Sequence, residues 1–407
     1  MPEPHLRSFR IHAPLSLQPS VRELLLSEGF RFHEEPFSPV CFRLIEEPIA
    51  LGSSLAAFFG YIYIQDRSSM LPPLALHPAP QEAVLDMCAS PGSKTSSLGQ
   101  LKEQQDLVLA NEPNAQRLAT LRANLQRLGL LNCATCSYEG QKLPLNAQSF
   151  DAIQLDPPCS GWGTVEKNPK VLQIWQGDKI KRLTGLQRAL LRKAHEFLKP
   201  GGHLLYSTCT TNSAENEEQV RFAVEELGFS CEKIPAFPGF VFDEPWPGTL
   251  LVRGEESKAQ GFFLARLSKT HDEPPAVPSS PPELPGYEIS VDKELPPGRS
   301  LCIRDKVYFV PKICDAVVPE KFSWRAAYLG QLKDGRVQLQ WRDKPYGHVQ
   351  PSPSQDIILE SPEDLKSLLQ GQSRICPLAS KTARLFFKDL PLGLVGIKNG
   401  RILASFR

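Results

Sequence analysis

Two short segments each place a cysteine directly after an apolar run. The first, "DPPCSG" (156–161), follows "AIQL", and the second, "YSTCTTN" (206–212), begins where another apolar run ends. Two prolines end a strand and keep the next residues extended, so Asp156 and Cys159 should lie on a stiff turn at the carboxyl end of a strand, where open α/β sheets bind ligands. Cys209 should emerge at the same edge. A single cysteine is more often a small buried apolar residue than a nucleophile. Two cysteines at the ends of strands favour a catalytic role.

Two thiols and a carboxyl group suit methyl transfer to carbon 5 of a pyrimidine. Carbon 5 is a poor nucleophile until a thiolate adds to carbon 6. The addition needs an acid near ring nitrogen 3, and the proton on carbon 5 must leave before the thiol is expelled. Cys209, Asp156 and Cys159 could supply the thiolate, the carboxyl and the proton-transfer group. The base would have to leave its stack to reach them.

A third segment, "CASPGSKT" (88–95), is suited to a cofactor. Gly92 permits close approach of the backbone, and the helix that follows offers free N–H groups. Glu112 lies twenty residues further on, at the end of the next strand, where an acid can accept hydrogen bonds from ribose hydroxyls. The loop has neither the G-x-G-x-x-G pattern nor a P-loop. S-adenosylmethionine, which has no phosphates and a sulfonium favoured near Asp86 and Asp156, therefore fits better than a dinucleotide, and a purely structural turn is the alternative.

Strands and helices alternate around these segments, which predicts an α/β fold with a parallel, doubly wound sheet. The apolar runs predict five strands, and the helical periodicity predicts four helices between and after them. The strands are expected at 83–88, 106–112, 133–137, 150–156 and 201–209, and the helices from about residue 93 and at 114–128, 178–198 and 213–227.

A proline-rich segment divides the chain. Residues 271–285, "HDEPPAVPSSPPELP", contain six prolines and predict an extended linker. Downstream, short alternating runs are separated by Asp334-Gly335 and Asn399-Gly400, which are hairpin signals. A small, mostly β domain with a short helix at 362–370 is expected there.

Composition excludes several classes of protein. The net charge of +1 argues against a globally basic nucleic-acid binder, but residues 165–199 carry nine Lys or Arg against three acids, and 365–407 carry eight against one. These stretches either face phosphate or are solvated surface. The charged first residues argue against a secretory signal, and the lack of a long apolar run argues against a membrane span. Ten cysteines without regular spacing suit free thiols in a reducing cytoplasm. Cys133 and Cys136 form a C-x-x-C without a second ligand pair, so no metal is expected.

Residues 61–230 resemble the catalytic domain of RNA cytosine-5 methyltransferases, the NOL/NOP/Sun (RsmB/NOP) family, and most closely the bacterial ribosomal RsmF type. The resemblance rests on an ordered series of motifs. They are "YIYIQDRSSMLPPLAL", "VLDMCASPGSKT", "NEPNAQRLATLRANLQRLG", "FDAIQLDPPCSGWGTVEKNP" and "LLYSTCTTNSAENEEQV". Beyond the linker, "LPLGLVGIKNGRI" resembles the PUA-like RNA-binding domain of the RsmF group. The chain departs from the family at Ser93, where glycine is usual, and at Glu139, where an Asp commonly contacts the adenine.

The resemblance implies a Rossmann-like methyltransferase domain and a role for each site residue. Residues 1–60 would be an N-terminal RNA-recognition part, 61–270 the methyltransferase domain, and 286–407 the PUA-like domain. Cys209 would attack carbon 6, Cys159 would assist product release, and Asp156 would lie beside cofactor and cytosine. Glu112 would hold the ribose and Glu139 the adenine. The methionine part of S-adenosylmethionine would be wrapped by Cys88, Ala89, Ser90, Pro91, Gly92, Ser93 and Lys94.

The expected activity is therefore cytosine-5 methylation of RNA, with 16S ribosomal RNA favoured over transfer RNA, by a cytoplasmic and preferably monomeric enzyme. A DNA cytosine-5 methyltransferase would place its nucleophile in a Pro-Cys-Gln segment, whereas this chain has "PPCSG" and a second thiol in "STC". A catalytically silent RNA-binding assembly factor is permitted by the fold alone, but it would not need two cysteines. A nicotinamide-dependent reductase lacks its glycine pattern.

Overall fold

The computed structural model describes residues 7–102, 106–165, 168–174, 177–270, 286–340, 344 and 349–403. The predicted linker, 271–285, lies outside these residues. Short 3₁₀ turns connect several elements, at Leu15–Leu17, Leu51–Ser53, Ser68–Met70, Gly140–Lys142, Trp162–Thr164 and Ser213–Glu215.

The N-terminal region forms a four-stranded antiparallel sheet with strand order β2-β3-β1-β4. Its elements are β1 (Ser8–Ile11), α1 (Gln18–Ser27), β2 (Arg31–Glu35), β3 (Ser38–Glu46), α2 (Leu55–Phe58) and β4 (Ile62–Ile64). Strand β4 pairs with β1, in the register Phe9↔Ile64. The boundary predicted after residue 60 thus falls before the last strand of this sheet.

A ten-stranded sheet forms the middle of the molecule, with helices on both faces. Its path runs β11-β12-β13-β9-β8-β5-β6-β7-β17, where β17 is Trp324–Arg325 from the C-terminal region, and β10 pairs with β13. The strands are β5 (Ala83–Asp86), β6 (Leu107–Asn111), β7 (Cys133–Cys136), β8 (Phe150–Leu155), β9 (Leu198–Thr208), β10 (Ser230–Glu232), β11 (Phe242–Asp243), β12 (Leu250–Val252) and β13 (Phe262–Ser268). The helices are α3 (Leu71–Leu76), α4 (Ser93–Leu101), α5 (Ala115–Leu128), α6 (Val171–Ile174), α7 (Asp178–Phe197) and α8 (Glu217–Leu227).

Strands β5 to β9 are parallel to one another, which confirms the predicted doubly wound sheet, while β13 and β17 pair antiparallel at its two ends. Alternate residues of each strand point to opposite faces. Val84 joins the core beneath α4 and α5, whereas Leu85 joins the core beneath α7 and α8. Apolar runs without alternation are therefore required in these strands, because both faces are covered.

Local signals explain where the helices begin and end. The Asn114 side chain accepts hydrogen bonds from Gln116 N and Arg117 N at the start of α5, and Gly129, with φ +74°, ends it. The predicted helix at 213–227 is divided into a 3₁₀ turn and α8, because Asn216 has the non-helical angles φ −115° and ψ −93°.

The C-terminal region forms two five-stranded sheets, where the sequence predicted one small β domain. One has the order β14-β15-β16-β18-β19 and the other β20-β22-β23-β24-β21. The elements are β14 (Tyr287–Glu288), β15 (Gly298–Ile303), β16 (Lys306–Pro311), α9 (Cys314–Val317), β17 (Trp324–Arg325), β18 (Ala327–Lys333), β19 (Arg336–Leu339), β20 (Ile357–Leu359), α10 (Pro362–Leu369), β21 (Arg374–Ile375), β22 (Thr382–Phe387), β23 (Leu390–Lys398) and β24 (Arg401–Leu403). Both predicted hairpin turns are confirmed: each two-residue loop joins antiparallel strands, β18 to β19 and β23 to β24.

The C-terminal region is joined to the rest of the molecule by shared strands and cores. Strand β17 extends the central sheet by pairing antiparallel with β7. The second C-terminal sheet packs on the N-terminal region, so Phe9 and Val21 share one apolar core with Leu385 and Phe387. Within the described ranges, no helix is both long enough and apolar enough to cross a membrane.

Candidate active site

The two predicted cysteines meet at the carboxyl edge of the central sheet. Cys159 follows β8 and Cys209 follows β9, and these strands are parallel neighbours. The two Sγ atoms lie 3.3 Å apart, a contact in which either sulfur can be the donor. All ten cysteines of the chain are free thiols. The adjacency of the strands, which the sequence could only suggest, thus brings two reduced sulfurs into direct contact.

A buried carboxylate ties together the loops that carry these cysteines. Glu215 accepts hydrogen bonds from the Ser160 amide at 2.9 Å and from the Ser160 hydroxyl at 2.5 Å. It also accepts from Gln187 Nε2 and from Asn212 Nδ2, both at 3.1 Å. Its side chain has no described cationic partner, and the residue has no exposed surface. Four donors in a dry site therefore hold the two loops in fixed register.

Asp156 lies beside the sulfurs and forms an ion pair. Lys94, in the first turn of α4, donates to Asp156 Oδ2 at 2.7 Å, and Ser207 donates to Oδ1 at 3.0 Å. Sequence reasoning assigned Lys94 to the methionine loop and missed this contact. The only available signal was the position of a lysine two residues after Gly92, because the partner lies 62 residues away.

The charges around the sulfurs distinguish them. The pKa of the Cys209 thiol is lowered, first by its hydrogen bond with Cys159 and also by the Lys94 ammonium, although burial and Asp156 oppose this. The pKa of the Cys159 thiol is raised by its hydrogen bond with Cys209 and by burial. While both thiols are free, Cys209 is thus the sulfur that more readily becomes a thiolate.

The loop between β5 and α4 has the shape that the sequence predicted for a cofactor loop. Gly92 has φ +104°, and a Cβ there would lie 2.9 Å from Leu121 Cδ1, so glycine is required. No side chain caps the N-terminus of α4, which leaves its first N–H groups available. Ser93, the departure from the family pattern, is simply the first helical residue of α4.

Two carboxyl groups at the strand ends fit S-adenosylmethionine. Asp86 is buried, and its Oδ1 has no hydrogen-bond partner. Burial raises the pKa of Asp86 to about 6, although Thr95 donates to Oδ2. Glu112 is 2% exposed at the end of β6, and its Oε1 accepts from Asn114 N. Buried acceptors beside an open helix N-terminus match a ligand with a sulfonium, a carboxylate and a ribose.

The remaining predicted residues lie around the same edge. Cys88, Ala89, Ser90 and Pro91 form the turn after β5, where Ala89 N donates to Asn111 O. Glu139 follows β7 and is exposed, with an ion pair to Lys142 at 2.8 Å, so its role toward the adenine stays a prediction. In the described part of the chain no cluster of three or more His, Cys, Asp or Glu side chains is suited to a metal ion.

Comparison with known proteins identifies the family. The family described as 16S rRNA methyltransferase RsmB/F matches residues 73–268. The protein "Ribosomal RNA small subunit methyltransferase F" of Shewanella amazonensis is 31% identical over 414 residues, which cover 95% of this chain and 88% of that protein.

Solved structures agree with this relationship. A methyltransferase homologue from Pyrococcus horikoshii is 35% identical, with a TM-score of 0.57, and the match covers 66% of this chain and 87% of that one. The structure of NSun6 from Pyrococcus horikoshii with SFG, an analogue of S-adenosylmethionine, covers 66% of this chain and 91% of that one with a TM-score of 0.59. Its 22% identity shows the fold alone. With S-adenosylmethionine as its cofactor, the chain thus belongs to the 16S rRNA methyltransferase RsmB/F family and, within it, to the RsmF type.

Proposed function

We propose that this methyltransferase adds a methyl group to carbon 5 of a cytosine in RNA, through a covalent bond between Cys209 and carbon 6 of the base. The observation that carries the proposal is the 3.3 Å contact between the Cys159 and Cys209 sulfurs beside the Lys94–Asp156 ion pair. A methyltransferase acting on a nucleophilic nitrogen or oxygen needs no thiolate, whereas carbon 5 of a pyrimidine does.

Cys209 is assigned the attack on carbon 6. Its thiolate forms the C6–S bond, and the electron pair of the C5–C6 double bond moves into the ring toward nitrogen 3. We assign the Lys94 ammonium to stabilise this negative charge, and the proton that it shares with Asp156 to pass through the carboxyl group to nitrogen 3. S-adenosylmethionine, when bound, supplies the electrophilic methyl group that carbon 5 then accepts.

Cys159 is assigned to product release. The proton on carbon 5 must be removed and the C6–S bond must break, which returns the electron pair to the Cys209 sulfur. We assign the removal of this proton to the thiolate form of Cys159, whose sulfur lies 3.3 Å from that of Cys209. The proton passes to the Cys159 sulfur as the C6–S bond breaks. The loop after β5, from Cys88 to Lys94, would hold the methionine part of the cofactor, and Glu112 its ribose.

The favoured substrate is ribosomal RNA of the small subunit, because the relative covered over 88% of its length carries that name. Transfer RNA is the second candidate. We assign the N-terminal sheet to RNA recognition, together with the C-terminal region that follows the segment 271–285. The fold by itself would also suit a catalytically silent RNA-binding factor.

Two substitutions test the mechanism. Cys209→Ala should abolish both the adduct and methylation, whereas Cys159→Ala should allow attack and block release, so that a protein–RNA adduct accumulates on denaturing gels. Cys231→Ala, a partly buried thiol in β10, is the matched control and should behave as the parent. Labelled S-adenosylmethionine with nucleoside analysis of ribosomal and transfer RNA pools identifies the product.

Three results would contradict the proposal. An adduct formed by Cys209→Ala would remove that sulfur from the attack. Label confined to transfer RNA would exclude the ribosomal substrate. The absence of label from every RNA pool would favour the alternative function, a catalytically silent RNA-binding factor.

A further inference from the structure

A large cavity lies away from the methylation site, where the N-terminal sheet, the β7 edge of the central sheet and the first C-terminal sheet meet. Its volume is about 1060 Å³, and its lining includes Arg122 from α5, Lys306 from β16 and Arg325 from β17. This is slightly above the usual range for ligand pockets, about 300–1,000 Å³. The mouth is open to solvent, since Leu15 and Leu101 in its lining are 68% and 45% exposed.

The charge of the lining is one-sided. Among the described residues that line the cavity, six are Lys or Arg and none is Asp or Glu. Arg122 donates to the Thr135 hydroxyl at 2.9 Å, but no described carboxylate lies within ion-pair distance of Arg122, Lys306 or Arg325. Burial lowers the pKa of Arg122, and the positive charge of the neighbouring Arg325 guanidinium lowers it further. Such a surface attracts polyanions.

Aromatic and amide side chains accompany the cations. Tyr308 and Tyr328 have ring centroids 5.6 Å apart at an angle of 58°, on neighbouring strands of one sheet. Gln126 and Gln340 join across the cavity by a side-chain hydrogen bond. Gln18, which is 3% exposed, lines the cavity with a buried Nε2 that has no hydrogen-bond partner. Proteins bind unpaired nucleotides with aromatic rings that stack on the bases, polar side chains that hydrogen-bond the base edges and cations that contact the phosphates.

The cavity is separate from the methylation cleft. Strand β7 is the third neighbour of β8 and the fourth of β9 in the sheet. At about 4.8 Å between strands, the cavity edge lies about 14 to 19 Å from the strands that carry the two cysteines. A ligand held by Arg122, Lys306 and Arg325 therefore lies away from the cytosine that is methylated.

We propose that this cavity is a second RNA-binding site, which holds an unstacked, single-stranded stretch of the substrate RNA with its phosphates on Arg122, Lys306 and Arg325 and its bases against Tyr308 and Tyr328. The inference rests on the proposed function, because it takes RNA as the polyanion. A free nucleotide has the same chemistry and is the alternative source. The site would fix the position of the RNA while a distant cytosine enters the cleft.

A pair of double variants tests this site in the full-length protein. K306A/R325A removes one lysine and one arginine from the cavity, whereas K333A/R336A removes an exposed lysine and arginine from the same sheet outside it. Fluorescence anisotropy with a labelled single-stranded RNA pentamer gives the affinity at several salt concentrations. K306A/R325A should bind at least about fivefold more weakly, and its slope of log K against log salt should fall by about 1 to 2. K333A/R336A should match the parent.

Crosslinking gives an independent readout. A pentamer containing 4-thiouridine should crosslink to peptides from β16 to β18 in the parent and not in K306A/R325A. Equal affinity and equal crosslinking in all three proteins would overturn the proposal. Adenosine monophosphate that binds the cavity when the pentamer does not would overturn its assignment to RNA.

Methyl incorporation, measured on the same samples, separates the two proposals. A parent that methylates RNA while K306A/R325A keeps full affinity refutes the second site alone. A parent that binds the pentamer through the cavity but methylates no RNA refutes the proposed function and leaves the cavity assignment standing.

Discussion

Replacement of Glu215 by glutamine tests the buried tie between the two cysteine loops. In the parent, Oε2 accepts from the Ser160 amide and Gln187, and Oε1 accepts from the Ser160 hydroxyl and Asn212. A glutamine can keep its oxygen on the first two donors and donate to the Ser160 hydroxyl, but its NH₂ group then opposes the Asn212 amide. One hydrogen bond is lost and the others lose their charge assistance, which is about 1.5–3 kcal/mol per bond against 0.5–1.5 for neutral bonds. The free energy of unfolding should fall by about 2 to 4 kcal/mol.

The Glu215→Gln substitution should also slow the reaction, because Ser160 is next to Cys159 in the chain. A displacement of about 1 Å in a reacting group costs about a hundredfold in rate. Denaturant unfolding gives the stability, and single-turnover adduct formation followed by methyl release gives the rates of the two steps. Glu215→Gln should slow release more than attack, since the loop of Cys159 loses its tie directly.

An exposed glutamate on α8 provides the control. Glu225→Gln makes the same chemical change and should leave stability within about 0.5 kcal/mol of the parent. If Glu215→Gln unfolds like Glu225→Gln and releases product at the parental rate, the buried network does not hold the two loops.

Three further substitutions have defined outcomes. Lys94→Met removes a cation that lowers the pKa of Cys209, so alkylation of Cys209 by iodoacetamide should require a higher pH. Burial raises the pKa of Asp86 to about 6, so the native state keeps this proton at pH values where the unfolded chain has lost it. The free energy of unfolding of the parent should therefore fall by up to about 3 kcal/mol as the pH rises from about 4 to 6. Asp86→Asn should abolish that slope in denaturant unfolding measured across this pH range. Arg67→Met leaves the buried Glu35 carboxylate, now 2.6 Å from Arg67 Nε, without its bidentate partner and should cost about 3 to 5 kcal/mol by the same measurement.

Local features of the chain were enough to predict much of the catalytic sheet. Apolar runs of the right length gave β5, β6 and β8, and apolar residues at helical spacing gave α5. The positions of Cys159 and Cys209 at strand ends followed from the turns that end those strands. Each of these signals lies within a few residues, so no knowledge of the tertiary fold was needed.

Contacts between distant segments were not predictable in the same way. The pairing of Lys94 with Asp156 and the reach of Glu215 back to Ser160 depend on which strands become neighbours. The addition of β17 to the edge of the central sheet depends on backbone hydrogen bonds that any extended segment could make, so its two residues gave no signal. The common core of Phe9 and Leu385 likewise has no counterpart in local pattern, since apolar residues do not specify their partners.

The family, the cofactor and the residue types of the candidate active site follow from the amino-acid sequence alone, because periodicity, turn residues and ordered motifs are properties of short segments. Tertiary packing is needed for the 3.3 Å approach of the two sulfurs, the ion pair beside them and the cationic cavity at the β7 edge. These arise where segments far apart in the chain pack together, and their energies depend on distance and burial, which a linear sequence does not record.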